Sequence, residues 1–314
     1  MPVNVLFAAK PSNWVAQEEP LKDAFKTAGL DIHLAAFQDG TMAPEDVDYM
    51  IWSPASAVQD FTPYTRCKAV LSLWAGVERV IGNKTLTQPL CRMVDRGLEE
   101  GMVEWVCGHV MRHHLGMDAQ ILGQNGEWKP HLPPLARNRK VTVLGLGALG
   151  SACARMLNTF GFDVAGWSRR QKDLDGITCF SGPDGLQEVL KRSEIVVLLL
   201  PNTPETENTL NAQTLSLMPK GAFIINPGRG PLIDDDALLY ALNSGQIAHA
   251  TLDVFRIEPL PGTHPYWTHP NVTVTPHMAA ETRLDSSSQV IAENIRRGEN
   301  GEDFLHLADR TTGY

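Results

Sequence analysis

From Lys140 onward the chain repeats one rhythm: a short, almost continuously apolar run, then a stretch compatible with helix. The runs are VTVLGL, DVAGW, IVVLLL, AFIIN, IAHATLDVF and NVTVTPH. Runs so short and uniformly apolar are strands buried on both faces, and their alternation with helices predicts βαβ units around a mostly parallel sheet. Helix starts are marked too: Asp234, Asp235 and Asp236 put acids at the positive end of the helix ALLYALNSG, which Gly245 ends.

The N-terminal part shows the same rhythm on a smaller scale, with strands at VNVLFA, IHLAAF, YMIWS and AVLSLW and a helix near EPLKDAFKTAG. A long helical pattern, MVEWVCGHVMRHHLGMDAQILGQNGEW, leads toward the connector PHLPPLARNR. A last helix is expected from about Ala279 to Arg297, and if it returns to the first region the chain crosses twice and leaves a cleft. The expected division is a discontinuous domain, 1–100 with 280–314, and a second domain, 101–279, with an arm near 101–138.

Chemistry enters at the first of these strands. KVTVLGLGALG runs from Lys140 straight into Gly145-x-Gly147-x-x-Gly150, and a helix-compatible stretch follows. In that setting Gly145 makes the tight turn, Gly147 lets the backbone approach a pyrophosphate, and Gly150 lets the helix pack closely; Ala148 and Leu149 complete the turn. A dinucleotide is the expected cofactor. Where such folds usually carry an acid for the ribose 2′-hydroxyl of NAD, this chain has Ser168-Arg169-Arg170. A hydroxyl and two guanidiniums suit a 2′-phosphate, so NADP(H) is expected to be preferred, with NAD(H) as the other candidate.

Composition narrows the partners. A net charge of −9 disfavours nucleic acid and anionic membrane, which reward clustered cations. No apolar stretch approaches the roughly 20 residues that span a bilayer, and MPVNVLFAAK lacks the marks of a leader, so a cytoplasmic protein is expected. The five cysteines are scattered with no C-x-x-C pair and read as small buried apolar residues.

Three more strand ends carry one ionisable residue each: Arg229 in INPGRG, Glu258 in LDVFRIEP and His277 in VTVTPH. Ligands of doubly wound sheets sit at the carboxyl ends of strands, so these residues can share one crevice. Together they suit reduction of a 2-oxo acid. Arg229 would clamp the carboxylate, His277 would protonate the developing alkoxide, and Glu258 on the other ring nitrogen would stabilise imidazolium.

These residues and the flanking motifs LPNTPETENTL and HPNVTVTPHMA, in this order and spacing, resemble the D-2-hydroxyacid dehydrogenase family along nearly the whole chain. The resemblance implies a Rossmann-type doubly wound sheet plus a smaller flavodoxin-like α/β substrate domain. It makes Arg229, Glu258 and His277 the catalytic trio and lays Pro201 and Thr203 along the cofactor. It also implies that Ala75 and Gly76 in LWAGVE offer backbone N–H groups to the substrate carboxylate, and that the arm after Gly101 makes a homodimer. Within the family the chain is most similar to NADPH-preferring glyoxylate/hydroxypyruvate reductases, on the short N-terminal half, Trp74 before the substrate turn and Ser168 in place of the acid. Trp74 would wall the pocket, or simply pack in the core. Asp253 is counted with the cofactor residues, chiefly as a hydrogen-bonding support for its strand.

Competing readings remain. An NAD-dependent dehydrogenase of another substrate class is one, and a cofactor-sensing, corepressor-like interaction protein is the other, because family membership does not prove turnover. His109 and His113 have the four-residue spacing of a metal pair but no third ligand, so no metal is expected and the pair is read with the arm. Arg92 and Arg283 are read as structural or solvated, His264 and His269 as loop supports. No G-x-S-x-G elbow is present.

Overall fold

All ten apolar runs become parallel strands in the computed structural model, which describes residues 2–310. In chain order the first elements are β1 (Val3–Ala8), α1 (Pro11–Thr27), β2 (Ile32–Ala36), β3 (Tyr49–Trp52), β4 (Ala69–Ser72), β5 (Leu90–Cys91), α2 (Arg96–Leu115) and α3 (Met117–Leu122). There follow β6 (Lys140–Leu144), α4 (Ala148–Thr159), β7 (Asp163–Ser168), β8 (Thr178–Ser181), α5 (Gly182–Arg192), β9 (Ile195–Leu198), α6 (Ala212–Leu217) and β10 (Ala222–Asn226). The last are α7 (Asp235–Asn243), β11 (Ile247–Leu252), β12 (Val272–Val274) and α8 (Leu284–Glu299).

Two compact units result, Met1–Leu98 with Glu281–Tyr314, and Glu99–Ala280. Residues 311–314 of the expected discontinuous domain lie outside the described residues. The first unit holds a five-stranded sheet in the order β2-β1-β3-β4-β5, the flavodoxin-like winding. The second holds seven strands in the order β12-β11-β10-β9-β6-β7-β8. Its direction of winding reverses at β6, so the glycine turn stands at the switch point. Alternate residues face opposite layers: Val141 and Val143 enter one core with Val197 and Ile225, while Leu144 enters the other with Leu198 and Ile224. In the first unit Val5 and Phe7 divide from Leu6 and Ala8 in the same way.

The departures from the sequence reading have local causes. α1 begins at Pro11, well before EPLKDAFKTAG, with Pro11 in its first turn and Pro20 tolerated inside. The long helical pattern breaks at Gly116, whose φ of 64° ends the helix; α3 is short, and only a single 3-10 turn, Ala136–Asn138, follows before β6. α8 starts at Leu284, since the Ala279 N–H is given to the Asp253 carboxylate and the Thr282 hydroxyl to the Leu73 carbonyl, which holds the approach extended. β5 and β8 are short strands that no apolar run announces. No helix among the described residues is long and apolar enough to cross a membrane.

Candidate active site

The glycine turn is fixed by close approach. Gly145 has φ +107°, and a Cβ there would lie 2.5 Å from the Leu199 carbonyl oxygen. A Cβ on Gly150 would lie 1.7 Å from the Gly145 carbonyl oxygen, so the first turn of α4 can seat only on a glycine. Gly147, by contrast, faces open space where a ligand backbone could come close. This is a cradle for a dinucleotide, with the N-terminus of α4 presenting its amides.

At the end of β7 the Ser168 hydroxyl donates to the Arg170 carbonyl at 2.7 Å, closing the turn that carries the exposed Arg169 and Arg170. The neighbouring loop after β9 is organised by Thr206, which donates to the Pro201 carbonyl at 2.6 Å and accepts from the Thr203 N–H at 2.9 Å. The Glu205 carboxyl is held below its ordinary value by its own backbone N–H first, then by Thr203, with the Arg169 charge contributing. The two turns thus feel each other electrostatically.

After β10, the buried Asn226 builds the platform for Arg229: its Nδ2 donates to the Arg229 carbonyl at 3.0 Å and its Oδ1 accepts from the Gly228 N–H at 3.1 Å. The Arg229 Nη1 donates to the Gly228 carbonyl at 2.7 Å. Gly230 leaves no room for a side chain, since a Cβ would sit 2.0 Å from the Phe255 carbonyl carbon. The loop after β10 therefore lies flat on the loop after β11. That second loop turns Glu258 back on itself, with its Oε1 accepting from the Phe255 N–H at 2.9 Å.

His277 completes the group. Its backbone N–H reaches the Asp253 carbonyl at 2.8 Å, and its φ of 52° is unusual for a residue other than glycine. Asp253 enforces that conformation: fully buried, it accepts from the Thr275 hydroxyl at 2.6 Å and from the Met278 and Ala279 N–H groups, each at 2.9 Å. Its carboxylate is occupied in shaping the His277 loop. The His277 Nδ1 lies 2.8 Å from the Glu258 Oε2. The hydrogen bond to Glu258 raises the His277 pKa above its ordinary value, against burial and the Arg229 charge. For Glu258, burial pushes upward, but the bonds from His277 and the Phe255 N–H, aided by the charges of His277 and Arg229, bring it below its ordinary value. With Nδ1–H engaged by a carboxylate, Nε2 is the nitrogen left to give or take a proton.

Other candidates fall elsewhere. In the first unit Trp74 is 45% exposed just beyond β4, in a turn pinned by Ser72, whose hydroxyl donates to the Trp74 carbonyl at 3.0 Å. Ala75 and Gly76 follow it, half-buried. Arg92 lies near His306, whose pKa is lowered by burial and then by the Arg92 charge. Arg283 packs against Gly97, where a Cβ would meet its Cγ at 2.6 Å. His113, read with the arm, is a buried residue: it is 5% exposed, its Nε2 lies 2.9 Å from the Thr251 hydroxyl, and its ring stacks on Phe223. His264 and His269 brace their own loop through the Tyr266 and Asn271 N–H groups. Burial raises the cysteine thiols, Cys67 and Cys91 to about 12. No group of ligands that could hold a metal occurs among the described residues.

Sequence reasoning misses Asn226, Thr206 and Gly230, which act on the candidate residues through the backbone. Their only trace is position: each stands in or beside a strand-end motif.

Comparison with known proteins sharpens the geometry. Residues 106–279 match the family model for the D-isomer specific 2-hydroxyacid dehydrogenase NAD binding domain. A glyoxylate/hydroxypyruvate reductase A from Serratia proteamaculans is 38% identical over 91% of this chain and 95% of its own. Among solved structures, a D-isomer specific 2-hydroxyacid dehydrogenase from Xanthobacter autotrophicus in complex with NADPH and MES is 39% identical, with a TM-score of 0.90 over 100% of both chains. An NADPH-dependent glyoxylate/hydroxypyruvate reductase from Sinorhizobium meliloti, in complex with NADP and sulfate, is 32% identical, with a TM-score of 0.87 over 99% of this chain and 100% of that one.

Proposed function

The chain belongs to the D-isomer specific 2-hydroxyacid dehydrogenase family, and we propose that within it the protein reduces small 2-oxo acids, glyoxylate and hydroxypyruvate, to D-2-hydroxy acids with NADPH. The observation that carries the reading is the His277–Glu258 pair at 2.8 Å, under the charge of Arg229, at the ends of strands in a sheet whose switch point is a glycine cradle. When bound, NADPH supplies the hydride that goes to substrate C2. Gly145, Gly147, Ala148, Leu149 and Gly150 would hold its pyrophosphate, and Pro201 and Thr203 would lie along it. Arg169, Arg170 and Ser168 would meet the 2′-phosphate, the Ser168 hydroxyl turning from the Arg170 carbonyl to do so. The names of the relatives, two of them bound to NADPH or NADP, support that preference.

Arg229 pairs with the substrate carboxylate, and its charge stabilises the negative charge that develops on the oxo oxygen. His277 delivers the Nε2 proton to that oxygen, and Glu258 keeps the ring protonated and oriented while it waits. Asp253 holds the loop. The family resemblance assigns carboxylate binding to the Ala75 and Gly76 amides and a limit on substrate size to Trp74. The exposed Ile121, Leu122, Trp128, Leu132 and Leu135 after α2 form the contact of a homodimer.

The test is initial rates with NADPH and NADH against glyoxylate, hydroxypyruvate, pyruvate and phenylpyruvate, on protein whose mass in solution is measured by light scattering. Fast NADPH turnover of the two small acids by a particle of two chains is the expected result. Cofactor binding without turnover of any acid would move the protein to the sensing class, and a preference for NADH would overturn the role of Ser168, Arg169 and Arg170.

A further inference from the structure

One cation beside the candidate site has no place in that chemistry. Arg256 lies between Phe255, whose N–H holds Glu258, and Glu258 itself. An arginine in an exposed loop ordinarily sends its charged head to water. Here the side chain is only 30% exposed, and the guanidinium turns back onto neighbouring loops. Its Nε and Nη2 both donate to the Ile233 carbonyl, at 3.2 and 2.7 Å, and Nη2 also reaches the Pro231 carbonyl at 3.3 Å. Nη2 donates further to the Asn208 Oδ1, and Nη1 to the Glu207 Oε1 at 3.3 Å. Pro231 belongs to the turn that directly follows Arg229, and Asn208 in turn donates its own N–H to the Pro231 carbonyl at 2.9 Å.

We propose that Arg256 is a positioning residue that holds the Arg229 loop and the Glu258–His277 pair in one register. The proposal rests on the reductase reading above. Two separate contacts converge on the same short stretch of chain. On one side Gly230 presses on the Phe255–Arg256 peptide with no space for a Cβ; on the other, the guanidinium pulls the Arg256 backbone toward Pro231 and Ile233. Phe255 therefore transmits any shift of the Arg229 loop to Glu258, and Arg256 sets how far it can shift.

A direct role in binding the anionic substrate is disfavoured by charge. Asp234, Asp235 and Asp236 line the shallow hollow that Arg256 and His264 share, Asp235 lies 3.8 Å from the guanidinium, and Glu207 adds another carboxylate. The single cation is more than compensated. Nor is this a surface ion pair of negligible effect, because most of the bonds go to carbonyls and to an amide, in directions that a planar fork can satisfy together and an ammonium cannot.

The experiment compares wild type with Arg256→Met, Arg256→Lys and Asn208→Gly, the last chosen because Asn208 has φ 52° and glycine keeps that backbone. KM, kcat and the pH profile for glyoxylate are measured with NADPH, together with Tm. His277 is faced by Glu258, Arg229 and Asp253, so its alkaline limb reports the pair directly. Arg256→Met is expected to raise KM about 10-fold, lower kcat and move the alkaline limb to lower pH, with Arg256→Lys failing to rescue and Asn208→Gly showing a weaker version. If Tm falls while KM, kcat and the limb stay at wild-type values, the residue is merely structural and the proposal fails. Should Arg256→Met not fold, Asn208→Gly decides on the same readouts. Should wild type reduce no oxo acid, the functional reading fails, and NMR titration of the His277 ring in wild type and variants still decides the proposal: an unchanged midpoint overturns it.

Discussion

Two histidines of the same unit have nearly the same hydrogen bond and opposite characters. His277 lies 2.8 Å from the Glu258 carboxylate and His113 lies 2.9 Å from the Thr251 hydroxyl. The first has its pKa raised, chiefly by that bond, and stays half exposed in the loop that follows β12. The second is pushed down to about 3, by burial first and then by the charges of His249 and Arg112. A short contact therefore does not make a proton donor. A charged partner and access to water suit His277 to that role, and a neutral partner inside a core suits His113 to packing.

The sharpest way to break the comparison is to delete each ring in turn. His277→Gln is expected to lower kcat by roughly 100-fold to 10,000-fold, the usual size of a lost general acid, with Tm almost unchanged. His113→Gln should do the reverse, leaving kcat within a few-fold and costing about 1–2 kcal/mol in urea unfolding as a buried hydrogen bond and ring packing are lost. Equal losses of activity in the two variants would show that the distinction drawn from charge and burial is wrong.

Much of the fold and of the candidate site is legible in the amino-acid sequence. Strands buried on both faces announce themselves as apolar runs, and Arg229, Glu258 and His277 each stand out as an ionisable residue closing one of them. What stays hidden is set by sheet order. Gly230 meets Phe255, and Arg256 meets Ile233, only because β10 and β11 are neighbours, and no local pattern encodes that adjacency. The spacing of His113 from His109 says only that the two share a helix face; the burial of His113 against Thr251 and Phe223 depends on where α2 packs, which spacing does not carry. Pro20 conceals the first half of α1 for a simpler reason, since a proline normally ends a helix that here continues through it.

A smaller change sharpens the His277 side. Glu258→Gln keeps the shape of the contact but removes the charge that favours imidazolium. The alkaline limb of kcat/KM should move to lower pH, with a loss of about 10-fold at neutral pH that shrinks as the medium is acidified. Since the limb marks deprotonation of the donor, a shift toward higher pH, or none, would mean that Glu258 does not govern His277.

The smallest effect is read in stability, where the two regions should pull in opposite directions. A histidine with a raised pKa binds its proton more tightly when folded, so His277 contributes below its unfolded value of about 6.5 and loses that contribution as pH rises through its folded value. Its exposure keeps the contribution small. The cluster under α2 has the other sign. His113 is lowered to about 3, while His249 and His109 are each lowered to about 4, burial being the first cause in all three. The His109 Nδ1 is buried without a hydrogen-bond partner, and the His113 and His249 rings lie 5.2 Å apart. Above about pH 6.5 these rings are neutral in both states and cost nothing. Below it the unfolded chain takes up protons that the folded chain refuses, and stability falls by up to about 1.4 kcal/mol per pH unit for each such ring. Urea unfolding between pH 8 and pH 5 should therefore show a flat region followed by a decline that begins near pH 6.5. His113→Gln removes one of the three protons from that uptake, so its decline should be shallower than that of wild type even though the variant starts from lower stability. A decline of equal slope in the variant would mean that His113 is not neutral in the folded protein, and the contrast with His277 would rest on burial alone.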